Sequence, residues 1–178
     1  MKLRRVFNYD NLNQSKILNT NNYIQLYTNS ITATGCLFYK IVDGIIWLLL
    51  IKYASPEHPF LDDFGGKADI TDMTIMQTIM RELSEETNGI IAGEYIEHLI
   101  NESPAFYNKQ SKYYVKVVCV DESFYPDTTV FGDFEGVDYI SRTVGWYKFN
   151  EVRDKLAHRL QLNDELMHFL EKINSSKL

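Results

Sequence analysis

A glycine-rich turn that runs into an acidic helix is the feature that most constrains this chain. Gly65-Gly66-Lys67 is followed, after a polar segment, by Arg81-Glu82-Leu83-Ser84-Glu85-Glu86. Apolar residues between Met73 and Thr87 recur at helical spacing, so we predict an amphipathic helix there. This helix carries three carboxylates within five residues, just after a backbone segment that a ligand could approach closely.

The helical wheel separates these acids from ordinary surface charge. At about 100° per residue, Glu82 and Glu86 fall inside or at the border of the apolar arc, and Glu85 falls beside it. A buried, unpaired carboxylate is costly, and a divalent cation would remove that cost because Mg²⁺ prefers oxygen ligands. The alternative is a charged helix edge on which Arg81 and Glu85 form an i,i+4 ion pair.

The segment from Gly66 to Ile90 resembles the Nudix box. The residues that match its pattern are Gly66, Arg81, Glu82, Leu83, Glu85, Glu86, Gly89 and Ile90. Three departures are present. Asp72 stands where the first Glu belongs, the spacer between Asp72 and Arg81 is one residue longer, and Thr87-Asn88 replaces a single residue. They leave the role of Asp72 open but not that of the glutamates.

The resemblance implies a fold, a chemistry and a metal site. The fold would be α/β, the Nudix α/β/α sandwich with a mixed β-sheet. The chemistry would be hydrolysis of a pyrophosphate bond that depends on Mg²⁺ or Mn²⁺. Glu82, Glu85 and Glu86 would be the catalytic carboxylates and metal ligands, joined by the backbone carbonyl of Gly66, while Arg81 would orient a carboxylate.

Three further residues are candidate substrate contacts. Lys67, in the glycine turn, could approach a phosphate, and its alternative role is that of a solvated lysine. Phe106 and Tyr107 could supply a face for a nucleobase, and their alternative is the packing role common for aromatic residues in strands. Four histidines show no metal-ligand spacing, so we expect surface or packing roles for them.

Length and charge limit the classes of protein to consider. With 178 residues, the chain has the length of a single domain, 1–178, and its Asn-rich lead, 1–30, is expected to be partly flexible. The net charge of −6 argues against an extended nucleic-acid interface, which needs clustered Lys and Arg. The only dense basic cluster is Lys2, Arg4 and Arg5, which could combine with Lys109, Lys112 and Lys116.

Neither a membrane span nor a disulfide framework is expected. The longest apolar run, Ile45 to Ile51, is too short to cross a bilayer, and no N-terminal signal pattern appears. Cys36 and Cys119 both lie in strand-like segments, as small buried residues often do. We therefore predict a cytoplasmic protein.

The rest of the chain predicts alternating strands and helices. Strands are expected at Ile31–Ile41 and Ile45–Tyr53, joined at Val42-Asp43-Gly44 as a hairpin. The other predicted strands are Tyr23–Tyr27, Glu94–Asn101, Ala105–Tyr107, Tyr113–Val120 and Gly145–Phe149. Loops are expected at Ala54–Phe64 and Gly132–Arg142. Asn150 and Asn163 are placed to begin the C-terminal helices.

Three hypotheses about function follow. The first is a Nudix pyrophosphohydrolase acting on a small nucleoside diphosphate derivative of the ADP-ribose, NADH or dinucleotide type. The second is an mRNA-decapping Nudix hydrolase, which would need a basic path for RNA. The third is a non-catalytic Nudix-fold binding module. The sequence leaves the oligomeric state open, with a homodimer among the alternatives.

Overall fold

The computed structural model describes residues 3–19, 29–135 and 140–175. The predicted strand at Tyr23–Tyr27 and the chain termini lie outside these ranges. Within the described ranges, no helix is long and apolar enough to cross a membrane.

A central sheet of eight strands organises the chain. Its strands are β4 (Ala33–Val42), β5 (Ile45–Tyr53), β6 (Leu61–Asp62), β7 (Phe64–Lys67), β8 (Ala105–Asn108), β9 (Tyr113–Cys119), β10 (Phe134–Glu135) and β11 (Ile140–Lys148). The main path runs β10-β11-β5-β4-β9-β8, while β6 pairs with β5 and β7 pairs with β4. Because β4 and β9 are parallel and the other pairs are antiparallel, the sheet is mixed.

Helices cover both faces of this sheet. The helices are α1 (Ile75–Glu86), α2 (Glu94–Glu102), α3 (Phe149–Val152), α4 (His158–Gln161) and α5 (Asp164–Ser175). One apolar cluster joins α1 and α2 to the sheet through residues such as Ile79 and Ile100. The other joins α3, α4 and α5 to the opposite face through residues such as Leu160 and Leu170. The predicted α/β/α sandwich with a mixed sheet is confirmed.

Most of the predicted elements are present. The β4–β5 hairpin forms as predicted, with Val42 opposite Ile45. The final helix begins as predicted, because Asn163 accepts a hydrogen bond from the backbone N–H of Leu166 at 3.1 Å. The predicted loops at 54–64 and 132–142 are partly ordered as β6, β10 and the start of β11. Of these strands, β10 forms an edge of the sheet, whereas β6 pairs with the end of β5.

The prediction of a strand at Glu94–Asn101 is wrong. These residues form α2, which packs Ile96 and Ile100 into the core and leaves Tyr95 74% exposed. The buried residues are four positions apart, which is the spacing of one helix face and not of a strand. Acidic residues in the first turn, Glu94 and Glu97, also favour a helix because they interact with its dipole.

A second, smaller sheet forms from the N-terminal lead. Its strands are β1 (Leu3–Asn8), β2 (Ser15–Asn19) and β3 (Ser30–Ile31), in the order β2-β1-β3. Arg5 is buried in β1 and donates a hydrogen bond to the backbone carbonyl of Ile70 at 3.1 Å. Arg4 is paired with Asp69 at 3.5 Å. The basic cluster that we expected at a flexible end therefore includes two arginines held against the segment before α1.

Candidate active site

The acidic helix begins with a complete capping box. Thr74 Oγ1 accepts a hydrogen bond from the backbone N–H of Gln77 at 3.1 Å, and Gln77 Oε1 accepts one from the backbone N–H of Thr74 at 3.2 Å. These bonds satisfy N–H groups that a helix start otherwise leaves unpaired. They fix the start of α1, and with it the direction in which Glu82 and Glu86 point.

Arg81 connects the glycine turn to the acids. Its Nη2 donates to the backbone carbonyl of Lys67 at 3.0 Å and to Asp72 Oδ2 at 2.9 Å. Its Nη1 lies 2.8 Å from Glu82 Oε1 and 3.1 Å from Glu85 Oε2. One guanidinium thus holds the turn and three acids together, and the orienting role of Arg81 in catalysis stays a prediction.

Asp72 binds the same guanidinium as Glu82 and Glu85. It is buried, and its Oδ2 accepts hydrogen bonds from the backbone N–H of Asp69 at 2.7 Å and from Arg81. Both partners are donors, which a buried carboxylate requires. The geometry assigns to Asp72 the anchoring of Arg81, a role that the sequence left open.

Gly66 and Glu82 are in direct contact. A Cβ built on Gly66 would collide with the Glu82 carboxylate, so any other residue in the turn would push this group away. Burial raises the pKa of Glu82, and the nearby Arg81 only partly offsets it. The glycine therefore gives a half-buried carboxylate access to a backbone segment whose carbonyl oxygens are potential metal ligands.

Glu86 is the most deeply buried acid of the helix, with 4% of its surface exposed. Its Oε1 accepts a hydrogen bond from the hydroxyl of Tyr53 at 3.1 Å, but its Oε2 is buried without a partner among the described residues. Burial raises its pKa well above the usual value, and neighbouring Glu135 and Glu82 add to that rise. The wheel correctly predicted this burial.

Glu85 differs from the other two glutamates, since its side chain is 53% exposed and paired with Arg81. Across the described ranges, no three His, Cys, Asp or Glu side chains converge closely enough to hold a metal ion. Glu82 and Glu86 nevertheless fit a cation site, because Glu86 Oε2 is a buried acceptor with an unmet need for a positive partner. Glu85 would have to turn away from Arg81 to join them.

The end of α1 is fastened to the segment that carries Glu135. Asn88 Nδ2 donates to the backbone carbonyls of Phe131 at 2.8 Å and Phe134 at 2.9 Å. Tyr53 then joins the two acids, with its hydroxyl 3.1 Å from Glu86 Oε1 and 3.2 Å from Glu135 Oε2. Glu135 is an acid of the site that sequence reasoning missed.

A cavity of about 300 Å³ is lined by Glu135. Tyr53, which contacts Glu86, forms part of its wall, together with Asp62, Gly65, Glu135 and Arg159. Burial raises the pKa of Asp62. The position of this cavity makes it the natural place for a ligand that extends from the glutamates.

Arg159 lines this cavity and is fixed by two acids that precede the glycine turn, Asp62 and Asp63. Its Nε donates to Asp63 Oδ1 at 3.0 Å, and its Nη2 lies 3.2 Å from Asp62 Oδ1. Its guanidinium stacks 4.6 Å from the ring centre of Tyr113, whose hydroxyl donates to Asp63 Oδ2 at 2.7 Å. A Cβ on Gly65 would overlap that hydroxyl, so this glycine is required by packing as well.

The three predicted substrate contacts do not line this cavity. Lys67 is exposed in the turn, where its carbonyl binds Arg81. Phe106 packs on Phe169 of α5 at 5.1 Å between ring centres. Tyr107 stacks on Tyr9, which follows β1, at 4.4 Å between ring centres, and donates to the carbonyl of Ser30. Their roles in substrate binding stay predictions.

The comparisons by sequence find no relative. No family model matches the chain, and no curated protein matches it.

Comparison by structure gives matches. DR0079 from Deinococcus radiodurans has a TM-score of 0.51 and 13% identity, over 97% of this chain and 99% of that one. This likeness shows a shared fold.

Two other solved structures have lower TM-scores. The Nudix domain of NrtR from Shewanella oneidensis, solved with ADP ribose, has a TM-score of 0.48 and 16% identity, over 88% of this chain and 94% of that one. An Ap4A hydrolase from C. elegans has a TM-score of 0.47 and 17% identity, over 82% and 96%.

Proposed function

We propose that this chain is a Nudix hydrolase that cleaves the pyrophosphate bond of a small nucleoside diphosphate derivative. The observation that carries the proposal is the state of Glu86. A carboxylate this buried, with one oxygen unpaired and other acids nearby, costs folding free energy. Such costly groups cluster at functional sites. It lies on the helix that resembles the Nudix box, and its hydrogen-bond partner Tyr53 lines the cavity.

Glu82 and Glu86, with the backbone carbonyl of Gly66, are the groups that would hold Mg²⁺ or Mn²⁺, and Glu85 would join them on leaving Arg81. A bound divalent cation supplies positive charge to the diphosphate and makes water more acidic. Arg81 supports the site by holding Glu82 beside the turn. Tyr53 supports it by donating a hydrogen bond that fixes the Glu86 side chain.

The cavity limits the size of the substrate. At about 300 Å³, it lies at the lower end of the range for small-molecule sites. It could accept a group the size of a sugar on one side of the diphosphate, while the rest of the nucleotide lies along the open surface. This favours ADP-ribose or NADH types of substrate, handled in the cytoplasm, where both free cysteines would stay reduced.

One observation favours the alternative of a binding module. The three glutamates do not converge in the described structure, and Glu85 is paired with Arg81. A protein that only binds nucleotides would need no such convergence. The two functions differ in one measurable property, since only the hydrolase turns its ligand over.

A hydrolysis screen tests the proposal. The substrates are ADP-ribose, NADH, dinucleoside polyphosphates, nucleoside triphosphates and capped RNA, each with Mg²⁺, Mn²⁺ or a chelator. We expect cleavage of a small diphosphate that requires the metal and stops with the chelator. Tight binding of ADP-ribose without turnover in either metal would favour the binding module.

A further inference from the structure

Two carboxylates face the cavity from different segments. Asp62 lies in β6, and its Oδ1 is buried without a hydrogen bond among the described residues. Glu135 lies in β10, and its Oε2 lies 3.2 Å from the hydroxyl oxygen of Tyr53. Both lie in the wall of the same cavity. We call this pair, Asp62 and Glu135, the acidic wall.

The arginine in the cavity does not neutralise this wall. Arg159 Nη2 lies 3.0 Å from Asp63 and 3.2 Å from Asp62, so two carboxylates already share its charge. The acidic or basic side chains that line the cavity are those of Asp62, Glu135, Arg159 and His58, so two carboxylates face one guanidinium there, while Asp63 is fully buried. Among the described residues, the hydrogen bonds and ion pairs of Arg159 run through Nε and Nη2, and none involves Nη1.

The acidic wall therefore offers hydrogen-bond acceptors, and Arg159 beside it offers a donor, without a net positive charge. A sugar hydroxyl both donates and accepts hydrogen bonds, so it matches carboxylate oxygens beside a guanidinium N–H. A phosphate only accepts at neutral pH, and its charge would meet two carboxylates in a partly desolvated space, where repulsion is stronger than in water.

We propose that Asp62 and Glu135 are specificity-determining residues that admit a sugar bearing free hydroxyls and exclude a further phosphate group. This inference rests on the proposed function and narrows its substrate class. The preferred substrate is a pyrophosphate with an organic group on each phosphate, such as ADP-ribose. Nucleoside triphosphates, which extend the chain with another phosphate, are disfavoured.

The test compares ADP-ribose with ATP as substrates and as ligands. kcat/KM is measured for both at pH 8 with Mg²⁺ in excess. Binding of each nucleotide is measured by calorimetry in Ca²⁺. We expect the wild-type protein to prefer ADP-ribose in both measurements, and this preference to fall as the salt concentration rises because salt screens repulsion.

Substitution of the wall residues should reduce the preference. Glu135→Gln and Asp62→Asn keep the shape of the side chain but remove its charge. Each should lower the ratio of kcat/KM for ADP-ribose to kcat/KM for ATP by about tenfold. Most of the change should lie in the KM or Kd for ATP. Glu57→Gln is the matched control, because Glu57 is an exposed acid in the loop before β6. It removes the same net charge without touching the cavity, and should leave the ratio unchanged.

The outcomes separate this inference from the proposed function. The protein could fail to hydrolyse either nucleotide and still bind ADP-ribose more tightly than ATP, with a preference that falls in Glu135→Gln and Asp62→Asn. This result would refute the hydrolase and support the role of the acidic wall in specificity. Hydrolysis with ATP equal or superior to ADP-ribose would support the hydrolase and overturn the wall. An equal effect of Glu57→Gln and Glu135→Gln would also overturn it, since net charge alone would then explain the preference. Binding of neither nucleotide would overturn both.

Discussion

Arg142 Nη2 lies 2.5 Å from the backbone carbonyl oxygen of Glu86. Arg142 is only 1% exposed, and it also donates to the carbonyls of Gly132 at 2.9 Å and Phe131 at 3.2 Å. Burial lowers the pKa of this arginine. A single side chain from β11 therefore joins the last residue of the acidic helix to the segment that leads to Glu135, and keeps two acids of the site in a fixed relation.

Arg142→Met should destabilise the protein strongly. The substitution leaves buried carbonyl oxygens without donors, which should cost roughly 2–4 kcal/mol in the free energy of unfolding. Urea denaturation measures this loss. Arg153→Met is the control, because Arg153 forms an exposed ion pair with Glu171 and should change stability by less than about 1 kcal/mol. Similar losses in the two variants would mean that the carbonyl contacts of Arg142 contribute little.

Glu86→Gln should abolish turnover without unfolding the protein. The amide keeps the shape of the side chain but removes the charge proposed to hold a cation. We expect kcat/KM to fall more than about a thousandfold, equivalent to about 4 kcal/mol in the barrier. Circular dichroism would confirm that the fold is intact. Activity within about threefold of wild type would exclude Glu86 as a metal ligand.

The same substitution should change how stability depends on pH. Folding raises the pKa of Glu86 through burial, so the folded state binds this proton more tightly than the unfolded state. The stabilising contribution of the protonated form is fully present below the ordinary pKa of glutamate and is lost as pH rises through the raised pKa. Wild-type protein should therefore lose stability relative to Glu86→Gln between acid and alkaline pH.

This difference is measured in a chelator, so that no cation stabilises the carboxylate. Denaturation of both proteins from pH 5 to pH 8 should show Glu86→Gln more stable at the alkaline end, by roughly 1–3 kcal/mol. Other titrating groups are common to both proteins and cancel in the difference. A difference that stays constant over this range would show that Glu86 is not costly to ionise.

Asp72→Asn should affect stability more than chemistry. Asp72 anchors Arg81 at 2.9 Å and accepts from the backbone of Asp69, so its loss weakens a buried, charge-assisted contact. We expect the free energy of unfolding to fall by about 1–3 kcal/mol and kcat/KM to fall by less than about tenfold. A loss of activity as severe as that of Glu86→Gln, with stability unchanged, would instead make Asp72 a metal ligand.

The sequence predicted those parts of the site that lie in one continuous segment. Helical periodicity placed Glu86 among buried residues, and the turn placed Gly66 close to the acids. It did not find Asp62, Glu135 or Arg159, which come from three segments and carry no shared spacing. They lie close together because β6, β10 and α4 meet beside the same cavity. Short apolar segments also allow either helix or strand, which explains the error at α2.

Small nucleotides should be cleaved in preference to long RNA. Most of the described members of the basic cluster that could have bound RNA already form contacts within the protein. Arg4 pairs with Asp69, Arg5 is buried, and Lys116 donates to the backbone carbonyls of Asn101 and Ser103, each at 2.9 Å. RNA affinity depends on free cations that can replace counterions, so it should be weak at physiological salt.

Measurement of kcat/KM for ADP-ribose and for a capped transcript, each at two salt concentrations, checks this prediction. ADP-ribose should be the better substrate at both concentrations. Lys109, which is exposed, and Lys112, which is half-buried, are the remaining described members of the cluster. Changing both to Gln should leave kcat/KM for either substrate within about threefold of the wild-type value. A preference for the transcript that declines steeply with salt, and disappears in this double variant, would instead support decapping, because only a protein that contacts several phosphates shows that dependence.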